Sequence, residues 1–230
     1  MAEHAGALYC GLMSAAAATK NDWAERTEQL VLDAALKEAP TRGWNRGLVL
    51  QAASDCGLSE GDAELLLPHG ARDLAALLSR RHDARTMATL AGVDPTTLKV
   101  RERIFRAVQA RLDAAADDQA AARRWAAFLA MPQNAPLALK LTWESADHLW
   151  RWAGDTATDE NHYSKRAILS GILIPALGLR LSQGREAADA FVSARIENVM
   201  SFEKWKAQQP KPLDKLRSVA GALGRMRYGR

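Results

Sequence analysis

Cysteine is nearly absent. Cys10 and Cys56 are the only two in 230 residues, too few for a disulfide framework and compatible with a reducing compartment. Long β-branched runs are missing as well, while Ala, Leu, Arg and Glu dominate. The chain therefore reads as all-α. No stretch approaches the roughly 20 apolar residues of a membrane-crossing helix. The N-terminus carries Glu3 but no Lys or Arg ahead of its Ala-rich run, which argues against a secretory signal or a transit peptide. Residues 1–22 are read as a flexible extension.

Recognisable chemistry is scarce too. The five histidines and two cysteines match no zinc spacing. There is no Gly-rich phosphate loop, no nucleophile elbow and no paired Glu-x-x-His of a di-iron bundle. The reading is of a non-enzyme, with no cofactor and no metal. Asp155, Asp159, His148 and His162 are the one set that a turn brings near each other; caps and exposed polar groups are the simpler account of them.

Charge is present but unevenly placed. Of the net +4, residues 211–230 supply six cations against Asp214, or +5, leaving −1 for the preceding 210 residues. The basicity belongs to a tail and is no general nucleic-acid signal. In that tail Leu213, Leu216, Val219, Leu223 and Met226 recur at helical spacing behind the hinge Gln208-Gln209-Pro210. Residues 209–230 are thus a hinge and a basic amphipathic segment suited to an anionic membrane surface, with those five as its membrane-binding residues.

From Trp23 to Gly92 the pattern predicts short helices: one ending at Gly43, one over Leu48–Cys56 closed by Gly57, one capped by Ser59 and stopped by Pro68, and one from Arg72. A helix-turn-helix is one use of such an arrangement. DNA would demand cations on the third helix, yet Glu60, Asp62 and Glu64 lie there, with no Lys or Arg from Ser59 to Gly70. No nucleic-acid partner is expected.

A second segment, 93–208, is predicted as longer helices: one over 94–116 with Pro95 at its start, one over 119–131, one after Pro136, one from about Asp159 to Leu181, and one over 185–208. Arg101, Arg103, Arg106 and Arg111 read as a solvated face. The helix after Pro136 is apolar nearly all round, with Leu137, Leu139, Leu141, Trp143, Leu149, Trp150 and Trp152. It is either a central core helix or one bearing a second apolar surface. The surplus of large apolar groups predicts a lipid-binding cavity lined by some of Phe105, Val108, Trp125, Phe128, Leu129, Leu141, Ile172 and Leu173.

The turn at Leu149–Leu173 organises this half. Gly154 suits the left-handed position that ends a helix, and Thr156 with Asp159, or Thr158 with Asn161, can cap the next one. Trp150, Ala153-Gly154-Asp155, Thr158-Asp159, Tyr163 and Arg166 resemble the signature of the ninth coenzyme Q biosynthesis protein family. Pro132-Gln133-Asn134-Ala135-Pro136 and Ala39-Pro40 through Gly43-Trp44 extend the resemblance over roughly 30–208.

The resemblance implies a TetR-like fold, with 23–92 as its helix-turn-helix-like subdomain and 93–208 as its ligand-binding and dimerisation subdomain. It also implies a homodimer, an accessory role in ubiquinone biosynthesis, an isoprenoid quinone or other lipid as ligand, and the demethoxyubiquinone hydroxylase as partner. The implied location is cytoplasmic, peripheral on the membrane face, or the matrix side in a eukaryote. A TetR-like ligand-responsive repressor is the alternative. The expected partner-binding patch is Leu149, Trp152, Asp155, His162, Tyr163 and Arg166, because exposed Tyr, Trp and Arg dominate interface energies. His162 departs from the animal pattern, which has Trp before the matching Tyr.

Overall fold

A computed structural model describes the backbone of residues 3–158 and 160–208 and the side chains of 23–158 and 160–201. Its elements are α1 (Glu3–Arg42), α2 (Arg46–Asp55), α3 (Glu60–Leu66), α4 (Ala71–Leu90), α5 (Val100–Ala116), α6 (Gln119–Leu129), α7 (Ala135–Trp152), α8 (Glu160–Ser182) and α9 (Arg185–Gln208). No strand occurs among the described residues. The all-α class holds.

Local sequence sets most boundaries. After α1, Gly43 turns back at φ +74°, and the Asn45 side chain caps α2 by accepting from the Leu48 N–H at 3.0 Å. At the end of α2, Gly57 is left-handed (φ +76°). There the N–H of Gly57 reaches the Ser54 carbonyl and that of Leu58 the Ala53 carbonyl, the paired bonds of a Schellman turn. Ser59 and Asp62 form a reciprocal capping box on α3.

Two expectations shift. The backbone is helical from Glu3, so α1 takes in the stretch read as an extension, in keeping with the high helix propensity of its alanines. Asp94-Pro95 opens only a 3-10 turn (Pro95–Thr97), and α5 begins at Val100. By contrast α9 has the bounds expected for it, and the C-terminal tail, with its five membrane-binding candidates, lies outside the described residues.

Buried side chains gather in two clusters. One joins α1, α2 and the first half of α4 with α6 through Val31, Leu32, Leu48, Leu74, Leu78 and Trp125. The other joins the end of α4 with α5, α7, α8 and α9 through Leu90, Val108, Leu112, Leu149, Leu169 and Val192. Helix α6 belongs to the first cluster although its sequence follows the break at 92/93. Two indoles pin these pieces: Trp44 Nε1 donates to the Ala71 carbonyl and Trp125 Nε1 to the Ala75 carbonyl, both at 3.0 Å.

The central helix is α4, not α7. It buries Leu74 to Ser79 without interruption, then His82, Asp83, Thr86 and Leu90. Helix α7 buries Leu141, Ser145, Ala146 and Leu149 while Leu139 is exposed. Most of its other large apolar groups divide between the two clusters, Leu137 packing on the first and Trp150 and Trp152 on the second.

Candidate functional site

Three helices wall an apolar cavity that opens to the surface. Its volume is about 290 Å³, and its walls come chiefly from α6 (Trp125, Ala126, Leu129), α7 (Ala138, Leu141, Thr142, Ser145) and α8 (Leu173, Ile174, Leu177, Gly178). Ser79 of α4 with Arg111 and Leu112 of α5 complete it. Small residues on α6 and α8 leave the space, since Ala126 and Gly178 stand where larger side chains would fill it.

Of the eight residues expected to line a lipid site, four line this cavity: Trp125, Leu129, Leu141 and Leu173. The others are placed differently. Val108 and Ile172 are buried in the second cluster, pointing into packed core. Phe128 is half-buried against the first cluster. Phe105 lines a separate hollow between α5 and α9 with Leu98 and Ile196. Helical spacing gave a face for each of them without saying which neighbour met it.

Sequence reasoning missed the cavity's polar side. Arg111, read as part of a solvated face, is 5% exposed. Its Nε donates to Asp83 Oδ1 at 2.7 Å, and Ser145 Oγ donates to the same oxygen at 2.7 Å. Ser79 Oγ lies 3.5 Å from Arg111 Nη2. Arg101 and Arg106 do face solvent, and Arg103 crosses to the α7 terminus. An arginine in step with Ile104, Val108 and Leu112 was the available signal, because buried charge requires a partner.

Beside this group His82 is fully buried in α4, with its ring edge-on to Trp125 at 5.8 Å. Nε2 lies 3.4 Å from Asp118 Oδ2, too poorly aligned for a hydrogen bond, and Nδ1 has no partner. Burial pushes its pKa down to about 4, against an opposing pull from Asp118.

The second candidate is the turn between α7 and α8. Gly154, at φ +89°, closes a Schellman turn: its N–H reaches the Arg151 carbonyl, and the Asp155 N–H reaches that of Trp150, each at 3.0 Å. Arg103 Nη1 donates to the Ala153 carbonyl at 2.8 Å, and a Cβ on Gly154 would meet that nitrogen at 3.4 Å. Left-handed backbone and close approach both call for glycine here.

An ion-pair network holds the turn. Arg166 donates from Nε to Asp147 Oδ1 at 2.7 Å and from Nη1 to Asp155 Oδ2 at 2.8 Å, and Lys165 donates to Asp155 Oδ1 at 2.5 Å. Burial works against both carboxylates. The hydrogen bonds and charges outweigh it: Arg166 and Arg151 hold Asp147 below the usual carboxylate range, and Lys165 and Arg166 do the same for Asp155. Both oxygens of Asp155 are therefore occupied by cations.

That network corrects the expected docking patch. Arg166 and Leu149 are each 1% exposed, so neither presents a surface. Arg166 is drawn inward by two carboxylates, and Leu149 packs in the second cluster. Asp155 shapes the turn by pairing with cations. Trp152 is half-buried, with Nε1 donating to the Leu90 carbonyl at 3.3 Å. His162 Nδ1 lies 3.0 Å from the Ala157 carbonyl. Tyr163 alone of the six is freely accessible, at 64%, with Trp143 6.3 Å away and His162 edge-on at 5.2 Å.

Comparison with known proteins bears on both places. The COQ9 family model matches residues 135–203, the span of α7, α8 and most of α9. It takes in the turn and two walls of the cavity, but neither Ser79 nor Arg111. The chain is 29% identical over 154 residues to the mitochondrial ubiquinone biosynthesis protein COQ9 of Bos taurus, covering 64% of this chain and 48% of that one. It is 30% identical over 159 residues to COQ9-B of Xenopus laevis, covering 64% and 53%. It is 27% identical over 154 residues to COQ9 of Homo sapiens, covering 64% and 48%. The chain thus spans about half the length of the curated relatives it matches. The matched helices and these relatives together make the chain similar to the COQ9 family of ubiquinone biosynthesis proteins.

Proposed function

We propose that this chain acts in ubiquinone biosynthesis as a non-catalytic accessory protein. It binds an isoprenoid quinone intermediate and presents it to the demethoxyubiquinone hydroxylase. The relatives' names supply the pathway, and the apolar cavity between α6, α7 and α8 is the observation that carries the binding role. Each CH₂ buried from water is worth about 0.8 kcal/mol. A few isoprene units therefore bind tightly without a single hydrogen bond.

The remaining parts of the role fall on other surfaces. Tyr163 with Trp143 on the outside of the α7–α8 turn is the docking point for the hydroxylase, reduced from the six residues first expected. The outer face of α8 carries Ala167, Ile168, Gly171 and Ile174, all exposed and none charged, which suits close helix pairing in a TetR-like homodimer. Among the described residues no helix is long and apolar enough to cross a membrane. Contact with an anionic membrane on its cytoplasmic or matrix face falls to the basic tail.

Lipid extraction from natively purified protein, followed by mass spectrometry, tests the reading. A prenylated quinone or its precursor should be recovered in near-stoichiometric amount. Recovery of bulk membrane phospholipid alone, or of no lipid, refutes it.

A further inference from the structure

The cavity is chemically lopsided. On its outer side Ala130, Ile174 and Gly178 are exposed and carry no polar side chain. On its buried side stand Ser79, Arg111 and Ser145, at 2, 5 and 3% exposure. They form one group through Asp83, which accepts from both Arg111 Nε and Ser145 Oγ. A cavity meant only for hydrocarbon has no use for such a wall, because each polar group there costs free energy unless it is paired.

Pairing at this wall is incomplete. Arginine carries five N–H donors in a planar fork. Here Nε takes Asp83, and Nη2 makes only the 3.5 Å contact with Ser79. Donors thus remain for a guest, and the Ser79 hydroxyl is held by nothing stronger. The formal charge of the wall is zero, since the Asp83 carboxylate offsets the guanidinium at 2.7 Å. A neutral acceptor fits that balance better than a carboxylate or phosphate, which would bring an unmatched charge into a buried site.

We infer that the ligand enters this cavity head first: a neutral quinone ring sets a carbonyl oxygen on Arg111 and the free hydroxyl of Ser79, while Ser145 stays donated to Asp83, and its isoprenoid tail runs out past Ile174 and Gly178. This assignment rests on the lipid-binding reading above and adds the ligand's orientation and the groups that select its head. At about 290 Å³ the cavity lies at the small end of ligand pockets. It suits a ring and the first isoprene units, with the rest of the tail outside.

Trp125 lines the cavity, so quenching of its fluorescence in the full chain reports binding, with Trp125→Phe as the control for signal origin. Three probes are titrated: a benzoquinone bearing two isoprene units, a benzene ring bearing the same tail, and a fatty acid of matched length. The quinone should bind roughly tenfold to hundredfold tighter than the benzene, as hydrogen bonds to a charged donor are worth. Arg111→Lys and Ser79→Ala should narrow that gap, weakening the quinone more than the benzene. Ser79→Ala carries the test alone if Arg111→Lys does not fold. Equal binding of the two ring compounds refutes the orientation and leaves lipid binding standing. Tighter binding of the fatty acid than of the quinone refutes the neutral-acceptor assignment. Binding of none of the three overturns this inference and the lipid reading together.

Discussion

Acidification from pH 7 to pH 5 should destabilise this chain through one residue, His82. Its folded pKa is about 4 because the ring is fully buried in α4, against about 6.5 in an unfolded chain. A depressed histidine pKa means that the unfolded state binds the proton first. Stability is therefore complete above about pH 6.5 and falls as pH drops from there towards 4. Across the full window the loss approaches about 3 kcal/mol, and between pH 7 and 5 it is about 2 kcal/mol. Urea unfolding of wild type and His82→Leu at the two pH values isolates the effect, since the other groups titrate alike in both. The wild-type midpoint should fall more steeply, by an amount equivalent to about 2 kcal/mol. Parallel pH dependence in the two proteins would show that Asp118, 3.4 Å from Nε2, admits the proton without cost, and would refute the reasoning.

Three substitutions probe the turn. Arg166→Met leaves Asp147 and Asp155 without their shared cation and should cost roughly 3 kcal/mol, the low end for a broken buried pair because Lys165 and Arg151 stay; a loss under 1 kcal/mol by urea titration counts against the network. Gly154→Ala forces a side chain into left-handed backbone against Arg103 and should cost about 1–2 kcal/mol, read as a lower melting temperature. Tyr163→Ala should leave stability within about 0.5 kcal/mol yet weaken capture of the hydroxylase in a pull-down; wild-type capture would move the docking point elsewhere.

Legibility in the sequence followed the range of the forces involved. Gly154, Gly57 and the Ser59 cap were readable because a left-handed residue or a capping hydroxyl acts on atoms within five positions. The bounds of α9 were readable as well, in a long helical run that stops at the Gln208-Gln209-Pro210 hinge. Arg166 was misplaced because its burial depends on Asp147, 19 positions away on another helix. Arg111 was misplaced for the same reason, its carboxylate being 28 positions distant in α4. Charge argued outward for both until the partner was known. The central position of α4, though not the helix itself, was hidden by Arg80, Arg81, Asp83 and Arg85, which interrupt its apolar count although Asp83 is inside and Arg81 bonds back to α1.

That helix has a consequence for how the chain comes apart. Its first half lies in one hydrophobic cluster and its end in the other, with Ser79, His82, Asp83 and Thr86 buried between them. Twenty residues thus serve as the shared wall of two cores. Melting either core strips one side of α4, and a helix losing half its packing retains little stability of its own. The two halves are thereby bound into a single cooperative unit, in which neither persists once the other has gone.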